Sequence, residues 1–260
     1  MSHLYQHFRK EEQSFVDQVT DWLNQVDYQY TPYLTSFLNP REQFIVEAIV
    51  GQSDAISVSF FGGTTGTERQ RALIKPSYIE DVEGHYDIAL CEISYPEKFS
   101  QLSHRDILGA ILGTGIDRKK LGDIIQDDGR WQLFVDASLV SFLTLHVTTV
   151  GRTTVSLIEK PLKESVPINE HWQKKNIVIS SRRLDVFIAG GLRISRDQAK
   201  QLIASGKVKL NWTSTENVSE DVNEKDIISV RGFGRLTLLS IDYRTRKDKL
   251  AVEIGTLLQK

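Results

Sequence analysis

The most restrictive pattern in the chain lies at residues 181–211, where two short helix signals precede a strand signal. Apolar residues recur at helical spacing over residues 184–188, and Gly190-Gly191 is predicted to end this first helix. Ser195 is a favourable N-cap for a second helix over residues 196–204.

Strand signals follow the second helix directly. Lysine and apolar residues alternate over residues 207–211, which is typical of a strand with one buried face. Further apolar runs at residues 226–230 and 233–239 predict two more strands. The sequence therefore predicts a compact module of helices and strands at residues 181–245.

Charge separates this module from the rest of the chain. Residues 180–260 contain 15 Lys and Arg against 10 Asp and Glu, a net charge of +5. Residues 1–179 contain 17 Lys and Arg against 24 Asp and Glu, a net charge of −7. A basic module on an acidic body indicates a polyanionic partner, although the total net charge is only −2.

The basic module supplies cations and helix N-termini, both of which bind phosphate. Arg183 and Arg196 lie at the two helix starts, and the strand lysines are expected to join them on one basic face. Two alternatives stay open: Arg183 could pair internally with Asp185, and the lysines could be an ordinary solvated face. The candidate RNA-binding residues are Arg182, Arg183, Arg193, Ser195, Arg196, Lys200, Lys207, Lys209 and Asn211.

The order of these motifs resembles the RNA-binding domain of the ribosomal-protein S-four type. Its pattern appears here as Arg183-Leu184-Asp185, as Ser195-Arg196-Asp197-Gln198-Ala199 and as Gly206-Lys207-Val208-Lys209-Leu210-Asn211. The resemblance implies that this module binds structured RNA. Trp212 stands where that family usually has Gly, which predicts a wider or differently shaped turn.

Changes in periodicity divide the whole chain, for which we expect an α/β (α+β) fold. The predicted divisions are a small helical N-terminal subdomain at residues 1–51, an α/β RNA-recognition-like domain at 52–160, a linker at 161–180, the S-four-type RNA-binding domain at 181–245 and a C-terminal tail at 246–260.

In the first division, helical spacing runs from Arg9 to Val26, and Asn39-Pro40 starts a second helix after a break at Thr31-Pro32.

The glycine-rich stretch at 61–67 is predicted to be a hairpin turn, because it lacks the Gly-Lys-Ser/Thr of a phosphate-binding loop. In the second division the expected strands lie at 56–60, 72–74, 88–93, 131–135 and 155–158, with helices at 103–112, 119–125 and 138–147.

The combination of these divisions resembles the YlmH family of bacterial proteins. The supporting segment runs from His104 to Gly113 and continues from Gly115 to Ile124. The resemblance implies binding to the RNA of the large ribosomal subunit and to tRNA, and a part in clearing stalled subunits that carry peptidyl-tRNA. It also implies a link to cell division.

Several other functions find little support in the sequence. We found no nucleotide, flavin or metal motif, and the single Cys91 and six histidines lack metal-ligand spacing. No apolar run spans a membrane and the start lacks a signal-peptide core, so we expect a cytoplasmic protein. The missing motifs favour a protein that is not an enzyme and needs no cofactor, and we expect it to be a monomer. An accessory role in RNA modification and a cell-division adaptor remain alternatives.

Overall fold

The computed structural model describes residues 8, 12–51, 53–80, 83–168, 172–224, 226–245 and 248–258. The chain forms two compact units, residues 1–169 and 170–260. The first residues of the predicted N-terminal helix, 9–11, lie outside the described residues, as do both ends of the predicted tail. No helix in the described part of the chain has the length and apolar character needed to cross a membrane.

The first unit begins with two helices on a three-stranded antiparallel sheet, whose strand order is β1-β3-β2. Val16, Val19, Trp22 and Val26 form the buried face of the first helix. Asn39 and Glu42 form a capping box at the start of the second helix, as the Asn39-Pro40 signal predicts. The elements are α1 Gln13–Gln29, β1 Tyr33–Leu38, α2 Pro40–Val50, β2 Ile56–Phe61 and β3 Gln70–Pro76.

This arrangement corrects the predicted boundary at residue 51. The sequence predicts only a break between the two helices, but strand β1 forms there and pairs with β3. Strands β2 and β3 therefore belong to the sheet that the helices cover, rather than to the following domain. The prediction was wrong because pairing between β1 and β3 is a long-range contact that no local pattern reveals. The hairpin predicted at residues 61–67 is confirmed by the pairing of β2 with β3.

The second part of the first unit has the order βαββαβ that characterises ferredoxin-like and RNA-recognition domains. Its antiparallel sheet has the strand order β5-β6-β4-β9, and a separate two-stranded ribbon joins β7 to β8. The elements are β4 Ile88–Ser94, α3 His104–Leu112, β5 Leu121–Asp127, β6 Arg130–Asp136, α4 Val140–His146, β7 Thr149–Val150, β8 Thr153–Thr154 and β9 Ser156–Lys160. The predicted RNA-recognition-like topology is thus present.

One element of this domain differs from its prediction. The expected helix at 119–125 is a single 3-10 turn at Arg118–Lys120 followed by strand β5. Leu121 pairs with Val135 and Ile124 with Leu133, with an irregularity in register between the two pairs. Because of that irregularity, Leu121 and Ile124 both lie on the buried face although they are three residues apart. Apolar residues at a spacing of three are also typical of a helix, so the sequence alone does not distinguish the two structures.

The second unit packs two helices on a six-stranded sheet of order β10-β15-β14-β13-β11-β12. Sixteen buried apolar residues from both layers form one core cluster. The elements are β10 Gln173–Ile179, α5 Leu184–Leu192, α6 Arg196–Ala204, β11 Val208–Leu210, β12 Thr213–Ser214, β13 Ile227–Val230, β14 Gly234–Arg244 and β15 Leu250–Leu258.

The predicted linker and the predicted tail each contribute a strand to this sheet. Strand β10 lies within the predicted linker at 161–180, and β15 lies within the predicted tail at 246–260. The two strands pair antiparallel from Gln173↔Thr256 to Ile179↔Leu250, and β15 also pairs with β14. The RNA-binding module is therefore extended at both ends, because each segment supplies hydrogen-bonding partners for the other.

Helix α5 continues through the two glycines that were predicted to end it. It ends at Leu192, and Arg193 follows in the left-handed region with φ 56°. A Cβ atom at Gly191 would lie 2.9 Å from Cδ1 of Leu236 on strand β14. Gly191 therefore permits close packing of the helix on the sheet rather than termination of the helix.

Candidate nucleic-acid interface

The carboxylate of Asp185 brings two of the predicted arginines together. Arg183 donates from Nε and Nη2 to the two carboxylate oxygens at 3.1 and 3.3 Å, and Arg196 donates from Nε at 2.8 Å. The Asp185 side chain is fully buried, whereas the side chains of Arg183 and Arg196 are 36% and 49% exposed. We call Arg183 and Arg196 the arginine pair.

Local structure explains why the arginine pair forms. The chain enters α5 through hydrogen bonds from the backbone N–H groups of Leu184 and Asp185 to the carbonyls of Glu220 and Val218. At the other helix, the Ser195 hydroxyl accepts the N–H of Gln198, and the Gln198 side chain accepts the N–H of Ser195. This capping box confirms the predicted start of α6, and it places Arg196 in the first turn.

The arginine pair also favours the ionised form of the Asp185 carboxyl group. Burial acts to raise the pKa of Asp185, but hydrogen bonds from Arg183 and Arg196 outweigh it, so the pKa lies below its ordinary value. The carboxylate is therefore charged at neutral pH and holds both guanidinium groups by charge-assisted hydrogen bonds. This stabilisation is present above the unfolded pKa of about 4 and is lost as the pH falls through the lower folded value.

Two further predicted cations have protein partners. Arg182 donates to Oδ1 of Asn223 at 2.9 Å and to Oδ2 of Asp221 at 3.3 Å. Lys200 lies 3.5 Å from Oδ1 of Asp197 in the same helix, and both groups are exposed. Such exposed pairs contribute little to stability, so these cations can exchange their partners for phosphate.

The lysines before and within β11 do not join the arginine pair. Val208 and Leu210 are buried in the core beneath the helices, so strand alternation turns Lys209 to the opposite face of the sheet. Lys207 lies in the turn after α6 and lines a pocket with residues of that helix. The expectation of one continuous basic face is therefore corrected, because the pleat of β11 separates Lys209 from the helix N-termini.

Asn211 has a structural role in the fold. Its amide nitrogen donates to Oδ1 of Asp226 at 2.7 Å, and its amide oxygen accepts the N–H of Ile227 at 2.9 Å. The side chain therefore fixes the turn beside β13, and its predicted contact with RNA stays a prediction. Of the other candidates, Arg193 is exposed after α5 and Ser195 caps α6.

The turn at Trp212 is tight, so the first of the two predicted alternatives, a wider turn, does not form. Asn211 and Trp212 both have positive φ, 46° and 65°, and Leu210 pairs directly with Thr213. Two consecutive residues with positive φ are typical of the two-residue type I′ hairpin. Trp212 therefore adopts a backbone conformation that usually favours Gly.

Three family models match this chain. The model "YlmH, N-terminal" matches residues 11–79, "Putative RNA-binding domain in YlmH" matches 82–164, and "S4 domain" matches 182–228. The ribosome-associated protein quality control protein P2 of Bacillus subtilis (strain 168) is 40% identical over 253 residues, which cover 97% of this chain and 98% of that protein. This chain belongs to the YlmH family.

A solved structure agrees with this membership. The cell division protein ylmH from Streptococcus pneumoniae is 32% identical to this YlmH-family chain, with a TM-score of 0.55. The match covers 63% of this chain and 99% of the other. The first family model ends three residues after strand β3, in agreement with the corrected boundary of the N-terminal domain. RNA-binding domains are thus present in the middle and at the carboxyl side of this protein.

The middle domain of this YlmH-family chain differs from a typical RNA-recognition domain in one functional respect. Such domains stack bases on aromatic side chains of the sheet face that lies away from the helices. Here Leu90, Ile125 and Phe134 occupy that face, and they form a buried cluster with Phe37 of β1 and Val166. This part of the usual base-stacking surface is therefore covered, so these side chains cannot stack on bases in the folded domain.

A buried glutamine holds part of that cover in place. Gln132 on β6 is fully buried, its amide oxygen accepts the N–H of Val166 at 2.8 Å, and its amide nitrogen donates to the carbonyl of Glu164 at 3.2 Å. The start of the predicted linker is thus part of the domain. A polar residue between the apolar residues of β6 was the only sequence signal for this contact.

Proposed function

We propose that this YlmH-family protein binds the large ribosomal subunit through ribosomal RNA and tRNA, as a cytoplasmic monomer. Its proposed task is the quality control of subunits that carry a stalled peptidyl-tRNA. The arginine pair carries the proposal, because a buried carboxylate orients two half-exposed guanidinium groups at the starts of two helices. Guanidinium groups fork onto phosphate oxygens, and the positive ends of the two helix dipoles favour the same anions.

Two further observations support this proposal. The segment at 180–260 contains 15 basic and 10 acidic residues, which give it a net charge of +5. This charge favours contact with phosphate groups. The relative from Bacillus subtilis is named a ribosome-associated protein quality control protein, and it matches nearly the full length of this chain. Similarity over both RNA-binding domains supports a similar partner.

We also propose that the protein acts by occupying its site rather than by catalysis. The arginine pair consists of permanently charged groups, which suit phosphate binding but not proton transfer near neutral pH. The carboxylate beside them is buried and engaged by both arginines, so it is placed to orient them rather than to reach a substrate. RNA should therefore be released without chemical change.

Sedimentation with purified ribosomal subunits tests the proposed function. We expect co-sedimentation with large subunits, more with those that carry peptidyl-tRNA, and much less with small subunits. Each phosphate contact releases counterions, so binding should weaken steeply between about 50 and 200 mM monovalent salt. Salt-independent binding, or equal binding to small subunits, would contradict the proposal. Retention by cell-division proteins without any subunit binding would favour the adaptor alternative.

A further inference from the structure

A pocket of about 360 Å³ lies beside helix α6, apart from the arginine pair. The pocket residues of α6 recur at spacings of three and four, so they share one face of the helix. Arg196 is two residues from Gln198, which places it on roughly the opposite face. The pocket is lined by Ile194, Gln198, Gln201, Leu202, Ser205, Lys207 and Phe233.

The lining combines an apolar floor with polar groups at its edge. Ile194, Leu202 and Phe233 pack against the core of the module and remain partly exposed. Gln201 and Lys207 are exposed, and Gln201 carries both hydrogen-bond donors and an acceptor. The volume falls within the range of about 300–1,000 Å³ that is typical of small-ligand sites.

This combination matches the chemistry of an unpaired nucleobase. Bases that leave the helical stack are bound by stacking on aromatic rings and by hydrogen bonds to their edges. Phe233 offers the ring, Gln201 can pair with a base edge, and Lys207 can reach the attached phosphate. The lining residues, all within the described part of the chain, include one cation and no acidic side chain, which favours a nucleotide over a basic peptide.

We infer that this pocket holds one unpaired nucleobase of the RNA bound by the module. The inference rests on the proposed RNA-binding function and adds to it a separate contact on the other side of α6. The arginine pair would hold paired RNA through its phosphates, and the pocket would select RNA in which a base is free to enter. Binding would then depend on RNA structure as well as on charge.

RNA hairpins with a single bulged nucleotide test the inference. Four hairpins carry a bulged A, C, G or U, and a fifth carries an abasic nucleotide at the same position. The wild-type full chain should bind at least one base-bearing hairpin about tenfold more tightly than the abasic hairpin, as expected for one stacked base. Gln201→Ala and Phe233→Leu should lose most of this preference, whereas Arg196→Ala should weaken all five hairpins by a similar factor.

Gln173→Ala is the matched control, because Gln173 is an exposed glutamine of the same module outside the pocket lining. It should keep the wild-type preference. Equal wild-type affinity for the base-bearing and abasic hairpins would overturn the pocket inference alone. A preference that survives in both pocket variants would overturn it as well. Absence of binding to every hairpin at low salt would refute the proposed RNA-binding function, and the pocket inference with it.

Discussion

Replacing Arg196 by Ala is expected to weaken binding to large ribosomal subunits by roughly tenfold to hundredfold, the size of one lost charged contact of about 1–3 kcal/mol. Arg183→Ala should act in the same direction. Each change should also reduce the slope of log affinity against log salt by about 1, because one phosphate contact is removed. Filter binding or sedimentation at four salt concentrations measures both quantities.

Stability measurements separate RNA contact from structural support. Each arginine also donates to the buried Asp185, so either change should lower the free energy of unfolding by about 1.5–3 kcal/mol, as for a hydrogen bond to a charged group. Asp185→Asn removes the shared negative charge but keeps both cations. It should therefore destabilise the module yet retain the wild-type salt slope at a temperature where it is folded.

An arginine outside the proposed interface provides the control for net charge. Arg244 ends strand β14, is exposed, and pairs with Asp248 four residues later. Arg244→Ala should leave subunit affinity within about twofold, because it removes the same charge without removing a site contact. If Arg183→Ala and Arg196→Ala lose stability but bind subunits normally, the arginine pair is a structural element only.

Replacing Gly63 by Ala is expected to destabilise the first unit by about 2–5 kcal/mol. Gly63 follows strand β2 with φ +105°, and an added Cβ would lie 2.2 Å from Cδ1 of the buried Phe134. Overpacking a core typically costs about 1–3 kcal/mol, and a left-handed backbone adds roughly 1–2 kcal/mol for a residue with a Cβ. Urea denaturation followed by circular dichroism measures the change.

Gly109→Ala is the matched control for that prediction. Gly109 lies within helix α3, where an added Cβ would meet no atom within 4 Å. Alanine is a better helix former than glycine, so this change should stabilise the first unit by up to about 1 kcal/mol. Equal stability of Gly63→Ala and wild type would show that the contact between the 62–69 loop and Phe134 is not part of the folded core.

Local signals in the sequence predicted the elements that depend on nearby residues. The Asn39 and Ser195 caps and the β2–β3 hairpin all form where sequence chemistry places them. Each depends on contacts between residues close in the chain. By contrast, among the described strands β1 and β10 each pair only with a strand distant in sequence, and no local pattern distinguishes them from a break or a linker. Strand β15 pairs with β10 at long range as well as with its neighbour β14.

The candidate interface was predictable in its residue types but not in its geometry. The motifs selected Arg183 and Arg196, and the internal pairing of Arg183 with Asp185 was one of the alternatives considered. That a single buried carboxylate holds both arginines follows only from the packing of α5 against α6. The separate position of Lys209 and the internal hydrogen bonds of Asn211 depend on the register of β11, β12 and β13.

We propose that the carboxyl-terminal module contacts ribosomal RNA through the arginine pair. A cross-linking map of the full chain bound to purified large subunits carrying peptidyl-tRNA tests it most directly. We expect RNA-linked peptides to include the segment 182–200, which contains both arginines, and we expect these cross-links to decrease in Arg196→Ala. Cross-links confined to residues 12–168, or a pattern unchanged in Arg196→Ala, would contradict it.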